Sequence, residues 1–271
     1  MPNRVIVLVV AAMAVLTFSS VTHGQNQPWN NAGLAQSRNQ PQPSGPAAPA
    51  PRHDLTGIWD AGGAGIGARG AMPAPLTAWG EALGKTHHSG DGARMVSVAE
   101  INDPLSTMGD PEGFPRNLLF ELRPFQIVQT PNQVLILYMF EKRWRVVWTD
   151  GRQLPKDPDP RWYGYSVGKW EDDSTFVVQS VGTDERTWLD NAGNPHSSEM
   201  RVEERYHRVN QNTLELTVTI DDPKAYTKPW VARDKLPLRL MPPDTDLMEM
   251  IPSASEAAEY KKVFATEGKG K

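Results

Sequence analysis

The chain has 271 residues, a formal net charge of −4 and no cysteine. That mild acidic balance supplies no basic face for nucleic acid or an anionic membrane. The missing thiols exclude disulfides, thiolate nucleophiles, Cys-ligated metals and a lipidated cysteine anchor.

Residues 1–24 begin with Arg4, continue through the apolar run 5–18 and end in small and polar residues, the layout of a signal peptide. The run falls short of the roughly 20 residues of a spanning helix. Export to the periplasm or beyond is expected, with no membrane attachment after cleavage. Residues 25–52 are rich in Gln, Asn, Pro, Ala and Ser, cannot bury enough surface to offset ordering entropy, and read as a disordered spacer. One domain is expected over 53–264, followed by a short disordered tail, 265–271.

The domain opens with a short strand at 54–60 that carries Gly57-x-Trp59. Within the Gly/Ala-rich stretch 61–71, residues 65–70 match the dinucleotide fingerprint in form only. No helical pattern follows, and Met72-Pro73-Ala74-Pro75 intervenes, so no nucleotide and no other cofactor is expected. Residues 76–84 fit a short helix capped by Thr77.

From Arg123 the period changes to two. Segments 126–130 and 134–140 flank Pro131-Asn132 as a hairpin. In 143–149, Trp144, Val146 and Trp148 share one face, while Arg145 and Val147 share the other. After a proline loop at 154–160, segments 162–170 and 175–181 form a second hairpin, and 201–209 and 214–220 a third. Further strands are expected near 226–232 and 236–240, and a helix at 254–264. The fold class is therefore all-β. About eight to ten antiparallel strands in a meander hide their edges by closing into a barrel, with short helices at the periphery.

Several motifs carry a resemblance. They include Trp148-Thr149-Asp150-Gly151-Arg152, Asp157-Pro158-Asp159-Pro160, Gly164-Tyr165-Ser166-Val167-Gly168-Lys169-Trp170, Thr187-Trp188-Leu189-Asp190-Asn191-Ala192-Gly193 and Asp221-Asp222-Pro223-Lys224-Ala225-Tyr226-Thr227-Lys228-Pro229-Trp230. Together they resemble a large family of exported, mostly hypothetical bacterial proteins over roughly 103–230. Relatives often carry a cysteine before the equivalent of Pro115-Arg116. Here that region reads Met108-Gly109-Asp110-Pro111, so a thiol role does not transfer. Gly57-x-Trp59 followed by meandering strands also resembles lipocalin-like barrels, which implies a small-molecule cavity.

Chemistry concentrates in 184–208. On that strand Val202, Glu204, Tyr206 and Arg208 share one face, and Arg201, Glu203, Arg205 and His207 the other. A strand charged on both faces needs a paired or wet inner side, and Tyr206 assigns the Glu204 set inward. The competing reading is an internal Glu–Arg pair holding register, or an edge strand solvated on both faces. His196, in a preceding loop, would act as general acid or base if Asp190 or Glu204 oriented it, with Arg186 steadying negative charge. Ser197 and Ser198 lack a nucleophile-elbow motif, and no metal-ligand motif occurs, so no metal is expected.

The functional expectation is a protein binding a small, partly apolar or aromatic ligand within the barrel. Tyr138, Trp144, Tyr165, Trp188 and Tyr206 would supply the walls and Arg208 the polar anchor. The alternative is a cofactor-independent lyase, isomerase or hydrolase built on His196, Asp190 or Glu204, and Arg186.

Overall fold

The computed structural model describes residues 47–65, 74–251, 253–255, 257–259 and 262. The expected signal peptide, most of the spacer, all but the first residue of the 65–70 glycine match and the tail lie outside the described residues. The last part of the expected spacer is seated on the barrel: the Ala48 carbonyl accepts from Gln211 N, and Arg52 pairs with Asp173.

Nine strands form one closed barrel: β1 (Gly57–Asp60), β2 (Phe125–Gln129), β3 (Gln133–Tyr138), β4 (Trp144–Trp148), β5 (Tyr165–Trp170), β6 (Thr175–Val181), β7 (Arg201–Asn210), β8 (Thr213–Asp221) and β9 (Trp230–Leu240). Each strand pairs with its sequence neighbour, and β9 closes antiparallel onto β1. The expected all-β barrel is therefore the fold, with one departure from a pure meander. β4 and β5 run parallel, joined by the long connection 149–164.

That departure follows from parity. Strand direction must return to itself around a closed ring, so antiparallel neighbours come in even number. A nine-membered ring therefore contains at least one parallel pair. The seam is thin: only Val147↔Ser166 and Trp148↔Val167 are in register, against six residue pairs between β5 and β6.

Period-two burial is clean along β3, β7 and β8. Val134, Ile136, Phe176, Val178, Leu216, Val218 and Leu238 belong to one buried core cluster with Trp59, Phe125 and Ile127. The two strands expected at 226–232 and 236–240 are one strand, β9, bulged against β8, with Lys235 at φ 44. The helix α1 (Ala78–Gly84) carries the expected cap, Gly80 N donating to Thr77 Oγ1 at 3.0 Å.

Two short helices, α2 (Pro104–Met108) and α3 (Arg116–Leu119), are tied by a buried ion pair in which Arg116 Nη1 and Nη2 donate to the two Asp103 oxygens at 2.8 and 2.6 Å. All four α3 residues are buried, and Leu118, Leu119, Phe114 and Leu122 join the core cluster, so this segment plugs the barrel. Among the described residues no helix is long and apolar enough to cross a membrane.

Gly168 on β5 makes room for a ring. A Cβ there would lie 2.4 Å from Phe176 Cζ and 2.8 Å from Val147 Cγ1, both in the packed core. Gly168→Ala should therefore destabilise the fold by about 1–3 kcal/mol through overpacking, and Phe176→Leu in the same chain should recover part of that loss. Denaturant unfolding of the single and double variants measures both.

Candidate functional site

The inward face of β7 sits as expected. Glu204 and Tyr206 are buried, and Glu204 takes part in a pair that crosses the barrel. Its Oε1 accepts from Arg145 Nη2 of β4 at 2.5 Å, and its Oε2 from Tyr206 Oη at 2.7 Å. Burial opposes the Arg145 charge, but Glu204, Tyr138 and Tyr206 outweigh it and raise the guanidinium pKa above its ordinary value. Arg145 also lies 4.3 Å over the Phe114 ring of the plug.

Tyr138 shares this interior, where burial and Glu204 push its phenol up to about 12, with Arg145 acting in the opposite sense. Arg145 Nε and Nη1 are buried without a hydrogen-bond partner among the described residues, while the Tyr138 phenol and the Asn117 amide lie against each other in the same interior. Each unpartnered nitrogen costs about 1–3 kcal/mol. A second buried polar group adjoins the plug. Glu112 N donates to Glu141 Oε1 at 2.8 Å, and Tyr163 Oη to Glu141 Oε2 at 2.5 Å. Burial lifts the Glu112 carboxyl well above the usual carboxylate range, with Glu141 and Glu121 adding to it against Arg116.

The other expected site residues do not gather. His196 is buried, with Nε2 2.9 Å from Thr187 Oγ1 and Nδ1 3.3 Å from the Ser197 carbonyl. Asp190 is occupied in its own loop by Ala192 N, Asn194 N and Asn194 Nδ2. Arg186 is exposed, held by Asp184 and stacked on Trp162 at 4.5 Å. His196, Asp190, Glu204 and Arg186 thus each bond to other groups, and among the described residues no hydrogen bond joins any one of them to another. Ser197 gives its hydroxyl proton to Asp222 at 2.8 Å and is no nucleophile for His196.

Three of the expected ligand contacts need correction. Arg208 is not an open anchor: its Nη1 and Nη2 donate to the Asp54 and Gln211 carbonyls at 2.6 and 2.8 Å, over the Trp59 ring. Trp188 packs under the loops against His87, with ring centroids 4.6 Å apart, rather than in the lumen. Trp144 points outward and is 67% exposed, because Arg145 takes the inward position to meet Glu204.

Trp144 and Tyr165 nevertheless meet one feature, a cleft of about 410 Å³ where β4 and β5 splay at the parallel seam. Trp148, Tyr163, Leu154 and Pro155 complete its apolar walls. Arg152 stacks 3.5 Å from the Trp148 centroid and Arg161 4.0 Å from that of Tyr165. Sequence reasoning missed Arg145, Trp148, Arg152 and Arg161. The available signal was Glu204 itself, since an inward carboxylate needs a cation on another inward face, which Arg145 offers. Among the described residues no group of three or more His, Asp or Glu side chains is placed to hold a metal ion.

Breaking the cross-barrel pair by Glu204→Gln should cost roughly 3–5 kcal/mol, because the cation is left buried and uncompensated. Arg145→Met with Glu204→Leu and Tyr206→Phe removes every partner at once and should be close to neutral, or stabilising, in chemical denaturation.

His196 makes a separate forecast. Burial lowers its pKa below 6.5, as it does for His87. The neutral ring is thus the folded form, so its stability contribution is complete above about 6.5 and is lost as pH falls from there through the depressed folded value. His196→Gln should flatten, without abolishing, the fall of melting temperature on acidification across that window. An unchanged slope would show that other groups govern it.

Comparisons with protein-family models, curated proteins and solved structures find no match for this chain, so the functional reading rests on its own geometry.

Proposed function

We propose that this is an exported barrel protein that binds a small, partly apolar or aromatic molecule in the cleft at the β4–β5 seam. The supporting observation is Trp144, a 67% exposed indole on the rim of a concavity already walled by Trp148 and Tyr165. Large aromatic side chains lose the most by facing water. A volume of about 410 Å³ suits one small organic molecule. The reading keeps the aromatic ligand expected from sequence and moves its seat from the lumen to the outer wall. The lumen holds the Arg145–Glu204–Tyr206 network, side chains of the core cluster and the plug. Export is carried by the leader-like residues 1–24.

Calorimetric titration of the full chain with an uncharged bicyclic aromatic such as naphthamide tests this. Saturable binding is expected, weakened about tenfold by Trp144→Ala and unaltered by Tyr206→Phe in the lumen. Binding indifferent to both Trp144→Ala and Tyr165→Ala would refute the cleft as the site.

A further inference from the structure

The cleft has a charge character opposite to that of the chain. The protein carries a net −4, yet three arginines and no aspartate or glutamate line this concavity. Two of the three cations are already engaged: Arg145 by Glu204 within the barrel, and Arg152 by both oxygens of Asp150. Arg161 is different. Its side chain is exposed and stacked on Tyr165, and among the described residues it has neither an acidic partner nor a hydrogen-bond acceptor.

The scaffold holds this residue in place. Arg161 N donates to the Gly182 carbonyl at 2.9 Å, and its own carbonyl accepts from Asp184 N and Gly164 N at 3.0 and 3.2 Å. Its backbone is therefore anchored beside the end of β6, and its guanidinium carbon rests 4.0 Å over the Tyr165 ring centroid. Gly164, at φ 59, turns the chain between the two; a Cβ there would stand 2.6 Å from the Val181 carbonyl oxygen. A guanidinium resting on a ring, with its fork of N–H donors open, matches the planar two-oxygen face of a carboxylate.

We infer that the ligand class of the cleft is an aromatic or otherwise planar carboxylate, its ring packed on Trp144 and Trp148 and its carboxylate held by Arg161. The inference rests on the cleft being the binding site, and it adds a requirement for negative charge. A neutral sugar or a purely apolar ligand would use the same rings and leave Arg161 without a role.

The test compares naphthoate with naphthamide, which share a ring and differ in charge, by calorimetry on the full chain. Naphthoate is expected to bind about tenfold more tightly. Arg161→Gln should erase that gap by weakening naphthoate alone. Arg161→Lys, which keeps the charge but not the fork, should keep part of it. Arg186→Gln, at another exposed ring-stacked arginine outside the cleft, should leave the gap intact, and added salt should narrow it. Equal affinities in the unaltered protein, or a gap that survives Arg161→Gln, would overturn the carboxylate assignment. If naphthamide binds in a Trp144-dependent way without a carboxylate preference, only this inference fails. If neither probe binds, or Trp144→Ala changes nothing, the cleft reading fails with it.

Discussion

The pair between Arg145 of β4 and Glu204 of β7 is the constraint around which the barrel is arranged. The two residues lie 59 positions apart and three strands apart around the wall, so their contact spans the interior rather than a ladder. Two charges taken out of water tolerate little displacement, because each depends on the other and on a few further donors and acceptors. The pair therefore ties β4 to the far wall on the side where its backbone ladder to β5 is thinnest. It also decides the facing of β4. With Arg145 inward, Trp144 and Trp148 have only the outer surface.

The parallel seam has a topological origin and a local consequence. Nine strands cannot all run antiparallel around a closed ring, and the irregularity is placed where the long connection 149–164 carries the chain back to begin β5 in the direction of β4. Two paired positions hold the seam, and the adjoining part of the strands parts into a concavity. The same feature that reconciles strand number with closure thus makes an aromatic-lined depression on the wall. Loops on a rigid scaffold are a usual place for recognition, and here the proline-containing connection provides one side of the cleft while β4 and β5 supply the rings.

The charged segment that follows β6 has a structural occupation. Asp184, Asp190, His196 and Asp222 direct their polar atoms to neighbouring backbone and hydroxyl groups. Three contacts run in sequence from the Asp184 carbonyl through Thr187 Oγ1 and the His196 ring to the Ser197 carbonyl. A neutral imidazole and one hydroxyl bring two protons to those three contacts, so one is always left short. Burial nonetheless keeps the ring uncharged, because desolvating an imidazolium costs more than one weak contact. A dense run of ionisable residues in sequence can be the wiring of a loop.

Much was legible from local pattern. The period-two alternation from 123 onward located the strands, the inward set Val202, Glu204, Tyr206 and Arg208 was correct, and Thr77 capped its helix as its position foretold. The hairpin turn at Pro131-Asn132 was also readable, since turn chemistry is set by the residues that make it. These features depend on neighbours a few positions away. The identity of the cation that meets Glu204 is of another kind: Arg145 and Arg208 are equally plausible on charge, and only the closed wall brings the first across the lumen while spending the second on Asp54 and Gln211. The direction of β5 relative to β4, and with it the cleft shared by Trp144, Tyr165 and Arg161, is likewise a property of ring closure. Alternation along a strand is dictated by the pleat of its own backbone, whereas the partner across a barrel and the parity of its strands exist only once the sheet has closed.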